Sequence, residues 1–278
     1  MKTESQVILI TGASSGIGFE AARLLARQGH RVYGAARRVA LMEPLRADGV
    51  TPLCMDVTDE VSVRAGVQAV LDAEGRIDVL VNNAGYGYFG AIENVTPEEA
   101  RRQMDVNVFG LASLTRAVLP AMRGRGSGRI INVASVAGKM NLYFGGWYHV
   151  SKFAVEAFSD ALRMEVKPFG ILVSIIEPGG IKTDWGLIAA DHLQESSTGT
   201  PYEEEALREA HNLRKAYSSN LLSKPSVIAK AISRAVNSRR PKTRYRIGFG
   251  AKPLVFFHAI LPDRWWDAMM RLAGRITL

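Results

Sequence analysis

The chain has 278 residues, 47% apolar and 22% charged, with a formal net charge of +8 and one cysteine. A composition of this kind suits a globular protein with a substantial core, and the lone cysteine excludes an internal disulfide framework and fits a reducing cytoplasm. The apolar run PLVFFHAILP (253–262) is ten residues long, too short to span a bilayer. MKTESQ passes straight into VILITG, which leaves no room for a signal peptide, so a cytoplasmic location is expected. Cys54 stands in the apolar stretch TPLCMDV and is expected to be a buried thiol.

Short β-branched or apolar runs alternate with helical patterns along most of the chain. Strands are predicted at 7–11, 31–36, 51–55, 78–82, 128–134 and 171–177, and helices near 17–28, 39–47, 59–74, 97–123 and 148–167. Such alternation implies right-handed crossovers and a parallel sheet covered on both faces. The expected fold is therefore α/β, a Rossmann-like doubly wound parallel sheet of about seven strands in a single domain. After Glu177 the rhythm breaks, and residues 179–223 read as a helical substrate lid over the end of the sheet. A helix near 225–238 and a last strand at 243–249 complete a catalytic domain over 1–250. Residues 251–278 form a C-terminal amphipathic extension with Trp265, Met269, Leu272 and Ile276 on one predicted stripe.

Charge is unevenly placed. From Lys224 onward twelve Lys and Arg face only Asp263 and Asp267, a local balance of +10 that leaves the remainder at −2. A solvated basic face is the favoured reading; no nucleic-acid-binding motif accompanies it. The extension itself leaves two readings open, a weak peripheral membrane contact or packing that caps the cleft or builds a homo-oligomer interface. The second is preferred.

The first strand runs directly into T11-G-A-S-S-G-I-G18, and a helix follows. Gly12, Gly16 and Gly18 permit a tight turn, and the free N–H groups of the next helix favour an anion. A nucleotide phosphate is the expected occupant. At the end of the second strand, where an acidic residue would hold a ribose 2′-hydroxyl, the chain has Ala36 followed by Arg37 and Arg38. A cationic pair suits a 2′-phosphate, so NADP(H) is expected ahead of NAD(H).

Tyr148 and Lys152 lie four residues apart at the start of a helix and share one face. N82-N-A-G85 follows the fourth strand, Ser135 the fifth, and Pro178-Gly-Gly180 the sixth, with Thr183 just beyond. With TGASSGIG, Asn107 and YHVSK, these motifs resemble the short-chain dehydrogenase/reductase family in its compact one-domain form. They run in the family's order through residues 7–183.

The resemblance implies Tyr148 as the general acid or base, Lys152 as the cation that tunes it, and Ser135 as a hydrogen-bond partner of the substrate oxygen. Asn107 would hold a water in a proton relay. A free phenol titrates near ~10, and a cation within about 4–6 Å would lower that value. The implied cofactor contacts are Gly12, Ser14, Ser15, Gly16, Ile17 and Gly18, with Arg37 and Arg38, then Asp56 and Val57 at the adenine. Asn83, Ala84 and Gly85 would follow, with Tyr148 and Lys152, and Pro178, Gly179, Ile181 and Thr183 near the nicotinamide.

Tyr86, Tyr143 and Trp185 are candidate substrate contacts. His149, adjacent to Tyr148, would point about 100° away around the helix and is not expected to act. Scattered histidines give no metal site. The implied activity interconverts a carbonyl and an alcohol on a small, lipophilic substrate of steroid, retinoid or acyl type, in a homodimer or homotetramer. A non-catalytic NADP(H)-binding redox sensor is the alternative.

Overall fold

Strand β1 (Val7–Thr11) is buried at every position, because a central parallel strand is covered on both faces. Its side chains alternate between two cores: Ile8 and Ile10 join one cluster, Val7 and Leu9 the other. The computed structural model describes residues 5–275, and its further strands are β2 (Arg31–Ala36), β3 (Val50–Cys54), β4 (Val79–Asn82), β5 (Gly128–Val133), β6 (Ile171–Pro178) and β7 (Arg244–Ile247). They pair in parallel in the order β3-β2-β1-β4-β5-β6-β7. The order reverses between β1 and β4, so the crevice at their carboxyl ends is where such sheets hold ligands. The expected sheet is borne out in class and strand number.

Helices α1 (Gly16–Arg27) and, later in the chain, α8 (Pro225–Asn237) cover one face; α2 (Glu60–Glu74), α4 (Leu111–Gly124) and α5 (Gly146–Val166) cover the other. Local signals set their ends. Asp59 caps α2 by accepting from the Val61 N–H at 2.8 Å, and Gly75 ends it in a left-handed conformation. A capping box between Thr96 and Glu99 opens α3 (Pro97–Met104).

Two predicted helices differ in kind. Residues 39–48 wind as a 3₁₀ helix containing Pro44. The helix expected over 97–123 is interrupted between α3 and α4 by a π-helical segment, Asp105–Gly110. Such a wide turn re-aims a side chain, here Asn107, and at Gly110 the backbone meets Val57 so closely that a Cβ would stand 2.9 Å from its carbonyl oxygen.

The 179–223 segment holds α6 (Trp185–Ser197) and α7 (Glu203–Ser218), which pack together around Ala189, Ala190, Leu193, Ala206 and Ala210. Helices α9 (Ala251–Ile260) and α10 (Asp263–Arg275) follow β7. Of the expected apolar stripe on α10, Met269 packs inward, but Trp266 takes the place expected of Trp265. Trp266 is buried on Val136 and Met140, its Nε1–H donating to the Asn141 carbonyl at 3.0 Å, while Trp265 and Leu272 face outward. Helical geometry turns successive residues by about 100°, so the neighbouring tryptophan carries the contact. Ile276, placed on the same stripe, lies outside the described residues.

Cys54 is exposed rather than buried. It ends β3, the edge strand of the sheet, whose outer residues lack a neighbour on one side. Among the described residues no helix is long and apolar enough to cross a membrane. Nor do the described residues hold any His, Cys, Asp and Glu group placed to bind a metal.

Candidate active site

Four turns meet at the carboxyl ends of β1, β4, β5 and β6. The turn after β1 places Gly12 and Gly16 at φ of +66° and +56°, conformations that glycine adopts without strain. The turn after β4 locks onto it. The Asn83 and Ala84 N–H groups both donate to Thr11 Oγ1 at 3.1 Å, and Asn83 Nδ2 donates to the Thr11 and Gly12 carbonyls at 3.0 and 3.3 Å. A Cβ on Gly18 would lie 2.3 Å from the Gly12 oxygen, so the third glycine is needed for this close approach. Thr183, from the turn after β6, brings its methyl within 3.4 Å of where a Gly16 Cβ would stand.

The start of α1 is left open. Ser15 at its N-cap makes no side-chain capping bond, and no acidic residue occupies its first turn. Unsatisfied N–H groups and the positive end of a helix dipole suit a phosphate, so these residues fit a dinucleotide. Ser14 is half-buried and Ser15 exposed beside Ile17. Arg37 and Arg38 extend into solvent past β2, and Arg37 Nη1 stands 4.0 Å from Asp56 Oδ2. Burial raises the Asp56 carboxyl pKa, but bonds from the Thr58 N–H and hydroxyl, with the Arg37 charge, outweigh it and hold the group below its ordinary value.

Tyr148, Lys152 and Ser135 come together. Gly146 opens α5, and the Lys152 Nζ lies 5.8 Å from the centre of the Tyr148 ring. Lys152 is buried and donates to the Val133 carbonyl at 3.1 Å, which orients it beneath the end of β5. Ser135 caps the short turn 136–138, its Oγ accepting from the Ala137 N–H at 3.1 Å and donating to the Pro178 carbonyl at 3.4 Å.

Burial pushes the Tyr148 phenol up to about 12, partly opposed by a hydrogen bond with Ser135, and pushes Lys152 down to about 8. The Tyr148 ring keeps some exposure, so desolvation acts on its enclosed hydroxyl end. The direction is opposite to that expected from an adjacent cation. The ammonium stands 5.8 Å from the ring centre and its own bond goes to Val133, while desolvation of the hydroxyl is the larger effect.

Asn107 sits at the π-helical turn. Its Nδ2 donates to the Tyr86 carbonyl at 2.8 Å and to Ser151 Oγ at 2.9 Å, and its Oδ1 accepts from the Tyr86 N–H at 3.0 Å. A Cβ on Gly85 would stand 3.1 Å from that Oδ1 and 3.6 Å from Lys152 Nζ, so Gly85 lies between the two. Val57 supports the same turn from below. His149 turns away as expected: it accepts from the Leu142 N–H, so its Nδ1 donates to Ala137 and Met140 carbonyls, a structural role.

Ile181 is buried in the core cluster beneath the turn, and the Gly179 N–H donates to Ile247 in β7. Of the three substrate candidates, Trp185 stands against Tyr148, ring centres 4.8 Å apart. Tyr143 bonds to Glu205 of α7, and Tyr86 holds its hydroxyl buried without a partner. Burial first, then the Glu205 bond, raise the Tyr143 pKa.

Phe89 follows NNAG with Tyr86 and Tyr88 in a loop for which the sequence leaves pocket lining and simple packing equally open, whereas nothing in the sequence singles out Gly87 in that loop. Phe89 packs on Tyr148 and Trp185 at 6.1 and 5.6 Å, and a Cβ on Gly87 would press 2.7 Å from Tyr148 Cδ2 and 2.8 Å from Trp185 Cζ2.

A model of the short chain dehydrogenase family matches residues 6–190. A 3-ketodihydrosphingosine reductase of Bacteroides thetaiotaomicron is 39% identical over 276 residues, 98% of each chain. The 17-beta-hydroxysteroid dehydrogenase type 6 of Rattus norvegicus is 36% identical over 287 residues, spanning 96% of this chain and 88% of that one. The crystal structure of a short-chain dehydrogenase from Streptomyces avermitilis superposes with a TM-score of 0.80 at 32% identity, covering 99% of this chain and 98% of that chain. The glycine turn, the Tyr148–Lys152 face and these matches agree: the chain belongs to the short-chain dehydrogenase family of NAD(P)-binding oxidoreductases.

Proposed function

We propose that the protein is an NADP(H)-dependent reductase of a lipophilic ketone, with the reverse alcohol oxidation at the same site. The observation that carries this reading is the Tyr148 phenol, held beside the Lys152 ammonium and the Ser135 hydroxyl at the mouth of the crevice. When bound, the dinucleotide supplies or accepts the hydride. Tyr148, whose pKa near 12 keeps it protonated at neutral pH, donates its proton to the substrate oxygen. Ser135 Oγ holds that oxygen as charge develops on it. Lys152 keeps the phenol's surroundings positive, and Asn107 fixes the backbone at Tyr86 beside it.

The glycine turn and the open start of α1 would hold the pyrophosphate, and Arg37 and Arg38 the 2′-phosphate. Support for a lipophilic substrate is the aromatic wall of Phe89, Tyr148, Trp185 and Tyr217. The names of both curated relatives also point to lipids. The α6–α7 pair serves as the lid. Docking of Trp266 on Asn141 favours cleft capping by α10 over a membrane contact. Val150, Phe153 and Met164 form an exposed stripe along α5, which supports assembly as a homodimer or homotetramer.

The deciding experiment is turnover of a steroid, retinoid, acyl and simple-ketone panel with NADPH, in wild type and Tyr148→Phe. Loss of about 10²-fold or more in the variant is expected for a missing general acid. Unchanged turnover, or no turnover of any ketone by wild type, would remove the catalytic reading in favour of a cofactor-binding sensor.

A further inference from the structure

Behind the site lies a set of buried charges that the proposed chemistry does not use. Glu156, one helical turn beyond Lys152 on α5, is 3% exposed, and Glu177 at the end of β6 is fully buried. Glu156 Oε2 accepts from Arg244 Nε and Nη2 at 3.1 and 3.0 Å and pairs with Lys139 Nζ at 2.8 Å. Arg244 also reaches Asp160 at 2.5 Å and Glu177 at 3.2 Å, and Arg246 pairs with Glu177 at 2.7 Å.

The charges connect to Ser135 from two sides. Lys139 terminates the turn that Ser135 caps, and that turn lies directly on α5: a Cβ on Gly138 would stand 2.7 Å from the Lys152 carbonyl and 2.9 Å from Glu156 Cγ. On the other side Glu177 precedes Pro178, whose carbonyl accepts from Ser135 Oγ at 3.4 Å. The contacts therefore close a ring from Ser135 through its turn, Lys139, Glu156, Arg244, Glu177 and Pro178 back to Ser135.

We infer that Glu156 and Lys139 are positioning residues, holding the Ser135 hydroxyl at the height of the Tyr148 phenol through this ring of ion pairs. Burying several charges is costly and rarely the most stable solution for a core, whereas hydrogen-bonded ion pairs hold segments at defined distances and angles. Three separate segments, α5, the β5 turn and the β6–β7 pair, must agree for Ser135 and Tyr148 to address one oxygen. Displacement of a reacting group by about 1 Å costs on the order of 10²-fold in rate. The inference rests on the role proposed for Ser135.

The test is a double-mutant cycle of Lys139→Met and Ser135→Ala, measuring kcat, KM and Tm with NADPH and a ketone that wild type reduces. Lys139 is part-exposed and Glu156 keeps Arg244, so the variant is expected to fold. If Lys139 acts through Ser135, Lys139→Met lowers kcat about tenfold with KM little changed, Lys139→Arg restores it, and Lys139→Met has no further effect in the Ser135→Ala background. Multiplied losses in the double variant, or a loss in Tm with kcat intact, would overturn the inference. Should Ser135→Ala abolish turnover altogether, failure of Lys139→Arg to restore kcat, or full activity of Glu156→Gln, overturns it instead. Full activity of Ser135→Ala would count against the role of Ser135 itself, a separate outcome.

Discussion

The indole of Trp185 lies against the ring of Tyr148, centres 4.8 Å apart and inclined at 48°, so the first residue of α6 packs on the phenol ring. Gly87 makes room for that contact, since any Cβ there would strike both rings. Gly87→Ala is expected to lower kcat/KM by about tenfold or more and to cost about 1–3 kcal/mol in stability, through overpacking. Trp185→Ala should restore part of the loss in the double variant. Independent effects in steady-state kinetics and urea unfolding would separate the three residues.

The protonation of Tyr148 sets a direction. On the role proposed for Tyr148, a folded phenol at about 12 keeps the acid for ketone reduction in place throughout the neutral range, whereas alcohol oxidation would need the minor phenolate. Oxidation should therefore rise with pH up to at least about 10, while reduction does not share that rise. Parallel profiles in the two directions would contradict the assignment.

Lys152 links pH to stability. Its folded pKa, about 8, lies below its ordinary 10.5, so between these values the unfolded chain binds the extra proton. Stability attributable to this group thus rises with pH through that window, and the cost of the buried charge is fully present below about 8. Tyr148 has the opposite sign: raised from 10.0 to about 12, it removes stability as pH climbs through that range. Urea unfolding of wild type and Lys152→Met at pH 7, 8.5 and 10 tests the first effect. Wild type should gain on the variant with rising pH, and parallel curves would refute it.

Arg37 bears on cofactor choice. Arg37→Ala is expected to weaken NADPH binding about tenfold or more while leaving NADH nearly unchanged, because only the former carries a 2′-phosphate. Equal losses, measured by fluorescence titration, would assign Arg37 to its Asp56 pair alone.

Cys54, exposed at the edge of the sheet, should react with a maleimide in the native protein at a rate close to that in urea. Protection in the folded state would restore the buried reading.

Most of the architecture was legible because it depends on local pattern. Continuous apolar runs such as VILIT marked strands buried on both faces, and the glycine spacing after β1 marked the tight turn that follows it. The four-residue spacing of Tyr148 and Lys152 placed them on one face, where the structure has them. The sequence by itself therefore determined the α/β class, the strand succession and the shared face of Tyr148 and Lys152.

Only the tertiary structure decided what those residues experience. Whether Cys54 is covered depends on which strand lies at the edge, and whether Trp265 or Trp266 docks depends on what stands opposite α10. The π-helical turn at Asn107 carries bonds to Tyr86 and Ser151, each far along the chain. Even the sign of the shift at Tyr148 is a property of packing: spacing brought a cation near, but burial of the phenol raises its pKa against the Ser135 hydrogen bond. Desolvation and long-range pairing have no period in a sequence, and they are the terms that set the chemistry here.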